Sequence, residues 1–414
     1  MGVTGMNLSK PGLAGRGYGM SETLVCVSDD VGVRVWLERV LESMWTLESV
    51  TSSDLSRVSR LVQATGARVV IVAVNEDDPS KALKIFSAIQ KACPSVQLVG
   101  VAQRISQEML LGIMRAGARD CLITGVDTDT AGGRIRRIAE TAELTAFRDT
   151  REPRGNVTMI VPASPVVDAR FLAQNLAVEI TQAYPDDTVL AIDSLAGENR
   201  TFYFDNLNRL TLDELVGRAD TIDRSFIDAA LEEYMPRLRL LSGSLNQEVL
   251  SGDAGADLFI MLGQLAELFD HVIVRVDFSQ IESWSKAIGA DVTRIVLVAN
   301  PVVDQAQYGE ILLKNMREWV GPSCCYSLVI DGVEKRASLS VADIEKTVGL
   351  DCDLALPMEW KSRLEAMNAG LPMSLLPSST WYQKKLGTFV RKTFSVKVDR
   401  RVLGKFFQRK AGAA

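Results

Sequence analysis

Val157-Thr158-Met159-Ile160-Val161 is a mostly apolar, β-branched run, and Pro162-Ala163-Ser164-Pro165-Val166-Val167-Asp168-Ala169-Arg170 carries the chain from it into Phe171-Leu172-Ala173-Gln174-Asn175-Leu176-Ala177. The first stretch reads as a buried strand, and the apolar spacing that follows predicts a helix from about Asp168 to Ala183. Working outward, the same alternation recurs on both sides. C-terminally, strands are expected over Thr188 to Ile192, Leu238 to Leu241, His271 to Val276, Arg294 to Ala299 and Tyr326 to Ile330. N-terminally, Leu24 to Ser28, Val69 to Val74, Val96 to Val101 and Asp120 to Ile123 alternate with helical patterns at Val31 to Ser43, Ser80 to Ala92, Gln107 to Ala116 and onward to Ala146. Most of these runs are apolar on both faces, as strands of a helix-covered parallel sheet are. The expected fold is α/β, two doubly wound parallel-sheet domains, the first with four visible strands and a fifth that has no evident position.

Composition agrees with a globular chain: 414 residues, 47% hydrophobic and 24% charged. No run approaches the roughly 18 apolar residues that a spanning helix needs. Cys26, Cys93, Cys121, Cys324, Cys325 and Cys352 form no CxxC pair, which fits a reducing compartment. The one histidine, His271, leaves no His cluster for zinc and is read as a strand-end residue. Charge is uneven. From Trp381 onward ten Lys/Arg face one acid, net +9, while the remainder holds 36 basic and 51 acidic residues, net −15. That acidic body argues against nucleic acid as a partner.

The first domain resembles a response-regulator receiver. Asp29-Asp30 end the first strand as the receiver's acidic pair does, and Ala116-Gly117-Ala118-Arg119-Asp120-Cys121-Leu122 resembles the phrase that leads into its last strand end. The resemblance places Ala73 at the phospho-accepting aspartate, Val101 at the switch Ser/Thr and Thr124 at the lysine. Phosphoryl transfer needs a carboxylate nucleophile, an acid-held metal and a cation, and here only the acids are present. Asp29 and Asp30 are then read as turn residues capping the helix at Val31.

The second domain resembles the MinD/ParA group of P-loop ATPases, through Ala173-Gln174-Asn175-Leu176-Ala177, the helix phrase that follows their phosphate loop. Laid back from it, Ser164 stands at the signature lysine, Pro165, Val166 and Asp168 at glycines, Ala169 at the phosphate lysine and Arg170 at the magnesium-binding hydroxyl. Side chains crowd a cradle built from backbone N–H groups, proline removes a donor, and Asp168 adds negative charge. Asp193 matches the first acid of a DxD phrase whose second member is Leu195, Arg275 stands at the Walker-B aspartate, and Asp331 replaces an adenine-contacting Asn. Arg170 and Asp193 are the residual nucleotide-site candidates.

This pairing resembles the TadZ/CpaE family, which localises and helps assemble the Flp (Tad) pilus machine. Ile330-Asp331-Gly332-Val333, Leu339-Ser340-Val341-Ala342-Asp343-Ile344-Glu345 and Ala366-Met367-Asn368-Ala369-Gly370-Leu371-Pro372 support it. The resemblance implies a flexible N-terminus over 1–20, a receiver-like domain over 21–147, a linker over 148–156, a degenerate ATPase domain over 157–395 and a basic tail over 396–414. The paired losses at the two centres favour a non-catalytic localisation and assembly scaffold with no catalytic residue, metal or cofactor. The alternative is a residual switch that binds ATP weakly. Expected partners are pilus and secretion proteins, including the assembly ATPase, and a second copy in a homodimer, at a cytoplasmic location peripheral to the inner membrane and polar. In the tail, Trp381 to Phe394 is expected to close the second domain, burying Leu386, Phe389, Val390 and Phe394. Arg400, Arg401, Lys405, Phe406, Phe407, Arg409 and Lys410 form a second basic amphipathic stretch, open to lipid, to an acidic partner or to no partner.

Overall fold

The computed structural model describes residues 22–41, 45–75, 78–145, 155–195, 210–245, 254–334 and 339–394. The first half alternates β1 (Glu22–Val27), α1 (Val31–Leu41), β2 (Trp45–Val50), α2 (Leu55–Thr65), β3 (Val69–Ala73), α3 (Pro79–Ala92), β4 (Gln97–Ala102), α4 (Gln107–Arg115), β5 (Ala118–Ile123) and α5 (Ala131–Thr145). The five strands are parallel in the order β2-β1-β3-β4-β5. Order reverses at β1, so a crevice opens at the carboxyl ends of β1 and β3. The strand without an evident position is β2, an edge strand reading Trp-Thr-Leu-Glu-Ser-Val in which only Trp45 and Val50 are buried. Helix starts are set by side chains: Asp54 accepts from the Arg57 N–H and Asp78 from the Lys81 N–H, with Pro79 in the first turn of α3.

The second half runs β6 (Asn156–Pro162), α6 (Arg170–Ala183), β7 (Val189–Leu195), α7 (Leu212–Val216), α8 (Arg224–Ala230), β8 (Glu233–Met235), β9 (Leu238–Ser244), α9 (Ala254–Leu268), β10 (His271–Val276), α10 (Ile281–Ile288), β11 (Val292–Ala299), α11 (Val303–Trp319), β12 (Cys325–Val333), α12 (Val341–Val348), β13 (Cys352–Pro357), α13 (Trp360–Ala369) and α14 (Trp381–Thr393). Its eight strands lie in the order β13-β12-β11-β6-β10-β7-β9-β8. They pair in parallel, except that the short edge strand β8 turns back antiparallel on β9, with Arg237 at a φ of 68° in the turn. β6 lies in the interior, which is why most of its residues are apolar and Thr158 is its one buried polar side chain. Val157, Met159 and Val161 enter one core layer and Ile160 the other, the two-residue period of a strand covered on both faces.

The two sheets are joined through helices. Leu55 and Val58 of α2 share one continuous buried cluster with Trp284, Ala287 and Ile288 of α10. Ser56 Oγ donates to the Lys286 carbonyl at 2.5 Å, and Lys84 Nζ lies 3.0 Å from an Asp257 carboxylate oxygen on α9.

Candidate functional site

The loop between β6 and α6 is held at both ends by its backbone. The Ala163 N–H donates to the Val298 carbonyl at 2.8 Å, and the Val167 N–H to the Ser164 carbonyl at 3.1 Å. Ser164, Val167 and Ala169 turn inward and are buried, while Val166 is 75% exposed. The helix begins at Arg170, two residues later than the apolar pattern implied, with Ala169 as its N-cap and Asp168 turned back onto Arg170 just before it. Asp168 Oδ1 accepts from the Arg170 N–H at 2.9 Å and from Arg170 Nε at 3.0 Å, and Oδ2 accepts from Nη2 at 2.8 Å. A helix N-terminus attracts anions, and here a carboxylate of the chain itself fills that role while occupying the guanidinium fork.

Arg275 and Asp193 face each other across paired strands, β10 and β7. Arg275 Nε lies 2.7 Å from Asp193 Oδ1, with side chains 7% and 2% exposed, and Asp277 is 3.5 Å from Arg275 Nη1. Burial pushes the Asp193 carboxyl above the usual carboxylate range, opposed by the charge of Arg275 and then of Arg170. The geometry therefore gathers Asp168, Arg170, Asp193 and Arg275 into one charge cluster. Beside it, Trp284 Nε1 donates to Ser194 Oγ at 3.1 Å and Ser194 Oγ to Gln280 Oε1 at 2.8 Å. Leu195 is the last residue of β7.

Asp331 is buried near the end of β12 and paired with Arg363 of α13, whose Nη1 donates to Oδ2 at 2.9 Å while Nη2 bonds Oδ1. The Arg363 guanidinium also lies 4.6 Å from the centre of the Tyr382 ring and 5.8 Å from that of Phe171. Arg363 had no sequence signal, since a single basic residue in a helix is ordinarily a solvated one.

In the first sheet, Asp29, Asp30 and Ala73 line a cavity of about 580 Å³ together with Ser52, Lys81 and Gln103, whereas Val101 and Thr124 are not among its lining residues. Val101 is buried in the sheet core and the Thr124 N–H bonds the Ala102 carbonyl. Asp30 caps α1 as expected, accepting from the Gly32 N–H at 2.7 Å and the Val33 N–H at 3.4 Å. Asp29 does not. It accepts from the Ser52 N–H at 2.9 Å and Ser52 Oγ at 2.5 Å, and Lys81 Nζ is 3.5 Å away. Burial raises the Asp29 carboxyl, but the Ser52 hydrogen bonds and the Lys81 charge outweigh it and the net shift is downward. Ser52 was missed because it follows β2, the strand whose position the sequence hid, and Lys81 because its contact with Asp29 forms only when α3 packs beside β1.

His271 opens β10, 3% exposed, with Nε2 3.1 Å from Asp187 Oδ2. All six cysteines are free thiols, and burial pushes Cys26 up to about 12. Leu386, Phe389, Val390 and Phe394 are buried, as the helical spacing implied. Arg400, Arg401, Lys405, Phe406, Phe407, Arg409 and Lys410 lie outside the described residues. Among the described residues there is no group of three or more His, Cys, Asp or Glu able to hold a metal, and no helix is long and apolar enough to cross a membrane.

Strand order and loop position define the class: a receiver-like α/β unit followed by a P-loop-type α/β unit. A ParA family ATPase from Chlorobium tepidum TLS is similar over 57% of this chain and 98% of its own, at 19% identity and a TM-score of 0.51, which bears on the fold. A CheY-like protein (tadZ) from Pseudomonas aeruginosa PAO1 matches 28% of this chain and 98% of its own, at 24% identity and a TM-score of 0.27. The MinD cell division protein of Aquifex aeolicus matches 58% and 98%, at 17% identity and a TM-score of 0.42. No curated protein matches. Residues 20–147 match the family described as pilus assembly protein TadZ N-terminal.

Proposed function

We propose that the chain is a non-catalytic localisation and assembly scaffold of a bacterial Flp (Tad) pilus secretion machine. In this reading it is a pseudo-ATPase that works through contacts with protein and with the membrane surface. The observation that carries the reading is the Arg275 guanidinium, 2.7 Å from Asp193 at the place where the resemblance puts a magnesium-holding acid. A divalent cation brought there meets a buried fixed charge of the same sign. The loop supports the same reading, because Asp168 neutralises Arg170 and lies where a polyphosphate would need bare N–H groups. The residues present therefore do not fit magnesium nucleotide.

The receiver-like unit extends the argument. With Ala73 at the accepting position, Lys81 beside Asp29 supplies the positive charge a metal would otherwise bring. In both units the charges at the former centre are engaged in internal ion pairs, and the surfaces are left as the means of action on pilus proteins, the assembly ATPase or a second copy. The test is turnover. The reading expects no magnesium-dependent ATP hydrolysis above background and no change on Arg170→Ala. Turnover that disappears in Arg170→Ala would replace it with the switch reading, in which Arg170 and Asp193 hold ATP.

A further inference from the structure

Helix α14 has one face on the second sheet's domain and one in solvent. Tyr382, Leu386, Phe389 and Val390 are buried on the inner face. The outward row is Trp381, Lys384, Lys385, Thr388, Arg391 and Lys392, all exposed: four cations, a tryptophan and no carboxylate along about 20 Å of helix. Glu179 of α6 lies below this row, against Gly387 and near Arg391; Lys385 Nζ donates to the Ala355 carbonyl at 2.7 Å, and Lys384 and Lys392 carry exposed charge on the outer side.

The N-terminal end of the row is fixed by Glu359. Its carboxylate accepts from the backbone N–H of Trp381 at 3.0 Å and of Tyr382 at 2.7 Å, while its own backbone is in the left-handed region at a φ of 38°. Those two bonds hold a conformation that a non-glycine residue disfavours, and they tie the start of α13 to the start of α14. The two joined helix starts each carry an exposed indole, Trp360 at 59% and Trp381 at 67% exposure, with Lys361 next to the first in the chain and Lys384 Nζ 5.2 Å from the ring of the second.

We propose that the outward face of α14, with Trp360 and Trp381 at its end, is a preformed platform that docks the chain on an anionic phospholipid surface. Three of the row's four cations are lysines, point charges suited to a diffuse anionic surface, whereas specific carboxylate recognition favours the arginine fork. Indoles at the end of a basic row match the headgroup boundary, where one edge is apolar and the other wet. The chain before Trp381 carries net −15 and is repelled by the same surface, so this end faces it. The inference deepens the scaffold reading by naming the face that meets the membrane, and it rests on that reading only in this respect.

The experiment is flotation of the full chain with vesicles of phosphatidylcholine containing phosphatidylglycerol, against phosphatidylcholine alone, over a range of salt. The wild type is expected to float with the anionic vesicles only, and less as salt rises. Lys384→Gln with Lys392→Gln should weaken partitioning about 25-fold, taking each cation as worth about a factor of five. Trp381→Ala should also weaken it. A variant with Lys397, Arg400, Arg401, Lys405, Arg409 and Lys410 all changed to Gln should still float, and thermal melts of all variants should coincide with wild type. A wild type that stays with the soluble fraction overturns the proposal. So does the Lys384→Gln/Lys392→Gln variant floating like wild type while the tail variant does not, because the tail alone then binds. Lipid-free self-association that disappears in the Lys384→Gln/Lys392→Gln variant also overturns it, by making the face a contact with a second copy. None of these outcomes touches the pseudo-ATPase reading, which nucleotide measurements decide.

Discussion

Replacing Arg275 by methionine removes the cation from a pair whose side chains are 7% and 2% exposed and leaves Asp193 buried beside Asp168. Deleting one partner of a buried pair costs about 3–5 kcal/mol, because the remaining charge loses its compensation without regaining water. For a domain of this size that lowers the melting temperature by about 10 °C. The sign of the pH dependence follows from Asp193. Its carboxyl is already raised by burial, and losing Arg275 removes the largest opposing influence, so it rises further. A raised folded-state pKa contributes stability below the unfolded value of about 3.9, and that stability is lost as pH rises through the folded value. The deficit of Arg275→Met should therefore be largest in mildly alkaline buffer and shrink toward about pH 5. Calorimetric melts of wild type, Arg275→Met, and Arg275→Met with Asp193→Leu across that range measure it. The double variant, free of buried charge, should recover most of the loss. An Arg275→Met protein as stable as wild type near neutrality, or a double variant no better than the single, would refute the reasoning.

The same logic applied to Arg363→Ala, which strands Asp331 and removes the cation from the Tyr382 face, anticipates a loss of about 3–5 kcal/mol in melts of the full chain. Glu179, pushed up to about 7 by burial against α14, makes the wild type less stable as pH rises through neutrality. Glu179→Gln should flatten that slope by about 1–2 kcal/mol, discounted for partial solvent screening, and an unchanged pH profile would count against it. Acetyl phosphate should leave the first domain unlabelled, since Ala73 offers no nucleophile at the cavity wall. Intact-mass detection of an acid-stable, hydroxylamine-labile adduct on Asp29 or Asp30 would overturn that expectation.

Much of this architecture is readable in the chain because interior parallel strands, covered on both faces, are mostly apolar, and their few buried charges, such as Arg275 and Asp193, are paired with each other. β6, β10 and β11 announce themselves that way. β2 and β8 do not. Each is an edge strand with one covered flank, so Thr46, Glu48 and Glu233 are tolerated and the apolar run disappears. The same asymmetry governs the sites. The identities of the loop residues 164–170 could be compared with a motif, but how Asp168 turns back on Arg170 depends on the helix start, a local geometry that no pattern specifies. Long-range partners were less legible. Arg363 reaches Asp331 from 32 residues away, Gln280 reaches Ser194 from 86, and Lys81 meets Asp29 only once α3 and β1 are packed. Those contacts are set by tertiary packing, which leaves no periodic trace.

Titration calorimetry of the purified full chain with ATP, with ADP and with each in the presence of magnesium tests the central claim most directly. The account predicts no saturable heat with any of the four, and none gained or lost in Arg170→Ala. Saturable magnesium-dependent binding that Arg170→Ala abolishes would contradict it, because the loop would then hold nucleotide despite the Asp168–Arg170 and Asp193–Arg275 pairs.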